Sequence, residues 1–158
     1  EIEKLKLLAE AGQVTTETVQ AAVADSARYD VFGLIDAALL GQPEHILQML
    51  AGLRGEGVEA PVILWAVARE VRQLANIAQQ YSQGVPLDRA FSQARPPVWD
   101  KRKPLVSKAL QRHDAAGWQR LLMDAQRIDE QIKGQAEGDP WVGLTDLCLQ
   151  LSGRQIRL

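Results

Sequence analysis

At 158 residues, 46% hydrophobic and 24% charged, the chain has the composition of an ordinary globular protein. Its length fits one domain, or one domain plus a fragment. A net charge of −2 excludes a global basic field for a polyanion, and a lone cysteine, Cys148, excludes an intramolecular disulfide. The longest apolar run, Ala60 to Ala68, is far shorter than the roughly 18–20 residues of a membrane span. The start, EIEKLK, is charged and carries no signal-peptide pattern. The chain reads as the C-terminal part of a longer cytoplasmic protein.

Taken in order, nearly every segment predicts helix. Ile2, Leu5 and Leu8 recur at helical spacing from Glu1 to Ala11, with Gly12 as a stop. Thr15 suits the cap of a short second helix, whose stripe is Val19 and Val23. The third helix starts at Asp30 and ends at Gly41. It is apolar nearly all round, with Asp36 its only charge. Phe32, Ile35 and Leu39 are expected inside, and Val31, Leu34 and Ala38 are expected on the opposite side, open to contact with another protein.

Pro43 opens a fourth helix with Ile46, Leu47, Leu50 and Leu53 inside, ended by the glycines of RGEGVEA. The fifth and longest predicted helix runs from Pro61 to Gly84. Leu64, Val67, Val71, Leu74, Ala78 and Tyr81 follow a three-four spacing, which predicts the centre of a bundle. A small helix covers Pro86 to Gln93. Three prolines then interrupt RPPVWDKRKP, and helix resumes from Leu105 to Arg112. Asp114 caps a helix lined by Trp118, Leu121, Leu122, Ala125, Ile128 and Ile132. Asp139 and Pro140 open the last one, which carries Trp141, Leu144, Leu147, Cys148 and Leu151 and ends at Gly153. No alternating run is long enough for a sheet, so the expected class is all-α.

No pattern points to catalysis. The glycines of GLRGEG lack the lysine and hydroxyl of a phosphate loop, and neither His45 nor His113 sits in a metal-binding spacing. Cys148 falls on an apolar stripe, where a buried structural thiol is expected. No cofactor or metal is expected. The main polar feature is a basic cluster: Arg95, Lys101, Arg102, Lys103, Lys108 and Arg112, with Trp99 among them and Asp100 the one acid. A solvated rim with Trp99 packed inward carries most weight, then a protein partner, then nucleic acid with Trp99 stacking on a base. Arg69 and Arg72 share a side of the long helix and can pair within the chain or across an interface. Trp118 and Trp141 are expected in the core, while Trp65 and Trp99 divide evenly between core and interface.

Read together, FGLIDAALLGQ, LAGLRGEG, PVILWAVAREVRQL, RIDEQIKG and WVGLTDLCLQL resemble the delta subunit of the bacterial DNA polymerase III clamp loader. The ordered set is Asp36-Ala37 with Leu40-Gly41, Glu56-Gly57, Pro61 with Arg69 and Arg72, Asp129, Lys133-Gly134 and Trp141. The resemblance implies the end of an AAA+-type lid over residues 1–26 and a helical collar domain over residues 27–158. It implies a non-catalytic assembly role in DNA replication, within a complex that belongs to the DNA polymerase III holoenzyme. The implied partners are the gamma/tau and delta-prime subunits, through the collar. The sliding clamp would be met only by an N-terminal domain that this chain does not include. Candidate interface residues are Trp65, Arg69, Arg72, Trp99 and Arg102. The alternative is a helical nucleic-acid-binding domain using residues 95–112. No membrane contact is expected.

Overall fold

The computed structural model describes residues 31–153. The expectations for the first two helices, the cap at Asp30 and the lid over 1–26 lie outside the described residues. Among the described residues every regular element is helical. Helix α1 covers 31–40, α2 is Pro43–Gly55, α3 is Ala60–Ser82 and α4 is Leu87–Gln93. Then come α5 (Lys103–Leu110), α6 (Ala115–Ile132) and α7 (Pro140–Leu151).

The breaks sit where local chemistry puts them. Pro43 and Pro140 occupy the first turns of α2 and α7, where a missing N–H costs nothing. The Asp114 carboxylate accepts from the Gly117 N–H at 2.7 Å, and Asp139 accepts from the Trp141 N–H at 2.9 Å. Gly41 ends α1 at φ +76°, a conformation that L side chains rarely adopt.

Helix α3 is the hub. It packs most extensively on α6 and also touches α4, α5 and α7, while α7 packs on α6 and α2. Its stripe of Ile63, Leu64, Val67, Val71, Leu74 and Ile77 is buried. The core beneath it includes Leu34, Leu39, Ile46, Phe91, Trp118, Leu121, Leu144 and Leu147, and none of the buried residues described is polar or charged. Gly143 lets α7 close on α6, because a Cβ there would lie 2.8 Å from Ile128 Cγ1. Arg54 of α2 lies 4.9 Å over the ring of Trp141 on α7, a cation–π contact.

Four packing expectations change. On α1, Ile35 and Leu39 are buried as expected, but Val31, Leu34 and Ala38 are buried too, while Phe32 is 56% exposed. The reason is the single charge. Asp36 stands four residues after Phe32 and four before Leu40, so all three share the wet side of the helix. Leu47 is 46% exposed, because α2 buries only Ile46, Leu50 and Leu53. Tyr81 is 62% exposed: it lies in the last turn of α3, past the last buried residue, Ile77. Trp141 is partly buried beneath Arg54 instead of lying in the core. Trp118 and Cys148 are fully buried.

Candidate interaction surface

Four of the five expected interface residues, Trp65, Arg69, Trp99 and Arg102, line one groove built from three elements. Along α3, Val62, Trp65, Ala66, Arg69 and Gln73 recur at helical spacing, opposite the core stripe. Helix α1 contributes Phe32 and Asp36 from its wet side. The connector between α4 and α5 supplies the third wall: Arg95, Pro96, Pro97, Val98, Trp99 and Arg102. Together these residues line one groove of about 920 Å³.

The connector cannot form one helix, because its prolines deny backbone donors and restrict the preceding residues. It is nonetheless pinned. The Gln73 side-chain amide donates to the Pro96 carbonyl at 2.7 Å, and the Val98 N–H donates to the Phe91 carbonyl at 3.1 Å. Both the Arg102 and the Lys103 N–H donate to the Trp99 carbonyl, closing a turn that leads into α5. Val98 is buried by this arrangement, and Trp99 is carried outward. The expectation that Trp99 packs inward is therefore corrected: it is 69% exposed. Trp65 is 66% exposed on the facing wall.

Arg102 is the electrostatic centre. One guanidinium nitrogen lies 3.0 Å from Asp36 on α1, and the other lies 3.3 Å from Glu70 on α3. The fork of two donors suits this double contact, which a lysine could not make in the same geometry. Glu70 is largely buried, and loss of water pushes its pKa above the ordinary value, partly offset by the charge and hydrogen bond of Arg102. Arg69 and Arg95 also line the groove. Among the described residues neither takes part in an ion pair. Arg72 is exposed but lies outside the groove, so the two arginines of α3 do not serve one surface.

The basic cluster does not act as a unit. Arg102 is held by Asp36 and Glu70, and Lys103 pairs with Asp100 at 2.9 Å. Arg112 reaches away, donating to the carbonyls of Ala38 and Leu151. Arg95, Lys101 and Lys108 remain exposed, and only Arg95 lines the groove with Arg102. His113 is half-buried, its Nε2 lying 2.7 Å from the Gln150 carbonyl, and His45 is exposed. Among the described residues no group of three or more His, Cys, Asp or Glu is placed to hold a metal ion.

Three large rings more than half exposed along one groove are unusual. At ~150–250 Å² per aromatic side chain, they leave on the order of 300 Å² for a partner to cover. That is the size at which an exposed apolar patch is commonly functional. The sequence signal for this surface is the second stripe of α3, Val62, Trp65, Ala66 and Arg69. Phe32, Asp36 and Glu70 become part of it only through the packing of α1 and the connector.

Comparison with known proteins is consistent along the described chain. A family model described as "Processivity clamp loader gamma complex DNA pol III C-term" matches residues 31–157. The chain is 31% identical over 150 residues to the DNA polymerase III subunit delta of Escherichia coli (strain K12), covering 95% of this chain and 43% of that protein. It is 24% identical over 156 residues to the DNA polymerase III subunit delta of Haemophilus influenzae, covering 95% of this chain and 45% of that protein. The chain thus spans less than half the length of these curated relatives.

Proposed function

Because the chain belongs to the family of clamp-loader delta C-terminal domains, we propose that it is a non-catalytic assembly domain. In this reading residues 27–158 form a collar that joins delta to the other clamp-loader subunits, gamma/tau and delta-prime, and residues 1–26 are the end of the lid. Clamp loading itself is then the work of the assembled complex in the cytoplasm, as part of DNA polymerase III replication. No helix among the described residues is long and apolar enough to cross a membrane.

The observation that supports assembly is the exposed aromatic groove between α1, α3 and the connector. A solitary bundle gains nothing from leaving Phe32, Trp65 and Trp99 in water, since covering apolar surface is worth roughly 25 cal/mol per Å². Tryptophan and arginine are also the residues in which interface energy concentrates.

The alternative of a nucleic-acid-binding domain over residues 95–112 is not favoured. Three of its six cations, Arg102, Lys103 and Arg112, are engaged within the chain.

Size-exclusion chromatography tests the proposal. At micromolar concentration the chain should co-elute with purified gamma/tau and delta-prime subunits. Separate elution of the chain from both would remove the assembly role.

A further inference from the structure

Resting on that assembly reading, we infer that the groove seats an amphipathic helix of a neighbouring clamp-loader subunit, bearing a large apolar side chain flanked by carboxylates. The apolar side chain enters between Trp65 and Trp99, and the carboxylates meet Arg69 and Arg95.

Charge decides the class of occupant. The lining holds three arginines, Arg69, Arg95 and Arg102, and two carboxylates, Asp36 and Glu70. Both carboxylates are taken by Arg102. The groove therefore offers two cations, Arg69 and Arg95, without an ion-pair partner among the described residues, in one lining with the exposed rings of Phe32, Trp65 and Trp99. A polyanion is poorly served, because Asp36 and Glu70 sit inside the groove and the lysines of the cluster do not line it. A helix with one apolar anchor and two acidic residues matches the exposed rings and the two arginines together.

Rigidity supports the same occupant. Trp65 and Arg69 stand on the central helix, and Gln73 and Arg102 tie the connector to α3. The walls are held before the partner arrives, so less ordering entropy opposes docking.

The test uses the whole chain with purified gamma/tau and delta-prime subunits. Affinity is measured by titration for the wild type, Trp65→Ala/Trp99→Ala, Arg69→Glu/Arg95→Glu and a control, Met123→Ala/Val142→Ala, on exposed positions outside the groove. All these side chains are exposed, and circular dichroism checks that each variant is folded. Both groove variants should bind about tenfold more weakly or worse, with the control unchanged. The charge-reversed variant should also lose salt dependence. If the wild type binds its partners and both groove variants bind equally well, the groove inference is overturned while the assembly role stands. If the wild type binds neither subunit, both fall. In a parallel titration, loss of oligo(dT) binding in the groove variants with subunit affinity intact would overturn the inference in favour of nucleic acid.

Discussion

The guanidinium of Arg112 lies 3.1 Å from the carbonyl oxygen of Ala38, a residue 74 positions earlier in the chain. The same nitrogen lies 3.2 Å from the carbonyl of Leu151. Ala38 and Leu151 stand in the last turns of α1 and α7, where carbonyls lack the regular i+4 donor and the helix dipole is negative; the Ala38 oxygen also accepts the Gly41 N–H at 3.1 Å. One cation thus joins the C-terminal ends of two helices. Arg112→Ala should cost about 2 kcal/mol by urea denaturation, since hydrogen bonds to charged groups are worth ~1.5–3 kcal/mol. Arg112→Lys should recover only part of it. A neutral result for the alanine variant would show that the contact carries no stability.

Glu70 makes stability depend on pH in an unusual direction. Its pKa is raised, first by burial, with Arg102 opposing. A carboxyl raised in the folded state binds its proton more tightly folded than unfolded. Its contribution is complete below the ordinary value of 4.5 and is lost as pH rises through the folded pKa. Arg102→Met removes the opposing cation and should deepen that loss. Glu70→Gln should abolish it. Urea midpoints from about pH 4 to pH 7 measure both; identical pH profiles for the wild type and Glu70→Gln would contradict the assignment.

The orientation of α1 separates two substitutions. Leu34 is fully buried and Phe32 is more than half exposed. Leu34→Ala should cost about 2–5 kcal/mol, and Phe32→Ala less than about 1 kcal/mol. Denaturant midpoints at unchanged slope decide it. The reverse order would mean that the helix presents its other face to the core.

Trp118 is buried against His113, with ring centroids 5.0 Å apart in an edge-on arrangement. Among the described residues its indole N–H has no hydrogen-bond partner. Trp118→Phe sheds that unpaired donor and should cost only about 1 kcal/mol, whereas Trp118→Ala should cost ~3–5 kcal/mol. Equal losses in thermal denaturation would mean that the indole N–H is satisfied after all.

Cys148 is fully buried, and loss of water pushes its thiol pKa up to about 12. The thiolate is the reactive form, so the native protein should resist disulfide-exchange reagents near pH 8. Modification should proceed only at the rate of unfolding and accelerate in urea. Rapid labelling without denaturant would place the thiol at the surface.

The sequence by itself determined the helices of the described residues, their stops to within a few residues and the central stripe of α3. These are local properties. Pro43, Gly41, Asp114 and Asp139 act on their own turn, and an apolar stripe needs only residues three and four apart. The family resemblance was legible for the same reason, in short ordered motifs. Only the tertiary structure decided which side of α1 is buried, where Trp99 points and how the basic cluster divides. A helix apolar nearly all round has several faces it could bury. The choice rests on partners far away in the chain, such as Arg102 on Asp36 across 66 positions and Arg112 on Ala38 across 74. The connector adds a second reason. Its prolines forbid a regular element, so no periodicity exists to tell that Val98 turns inward and Trp99 outward. The groove belongs to that second class. Its α3 wall is written in the sequence, and its other two walls exist only once α1 and the connector are packed against it.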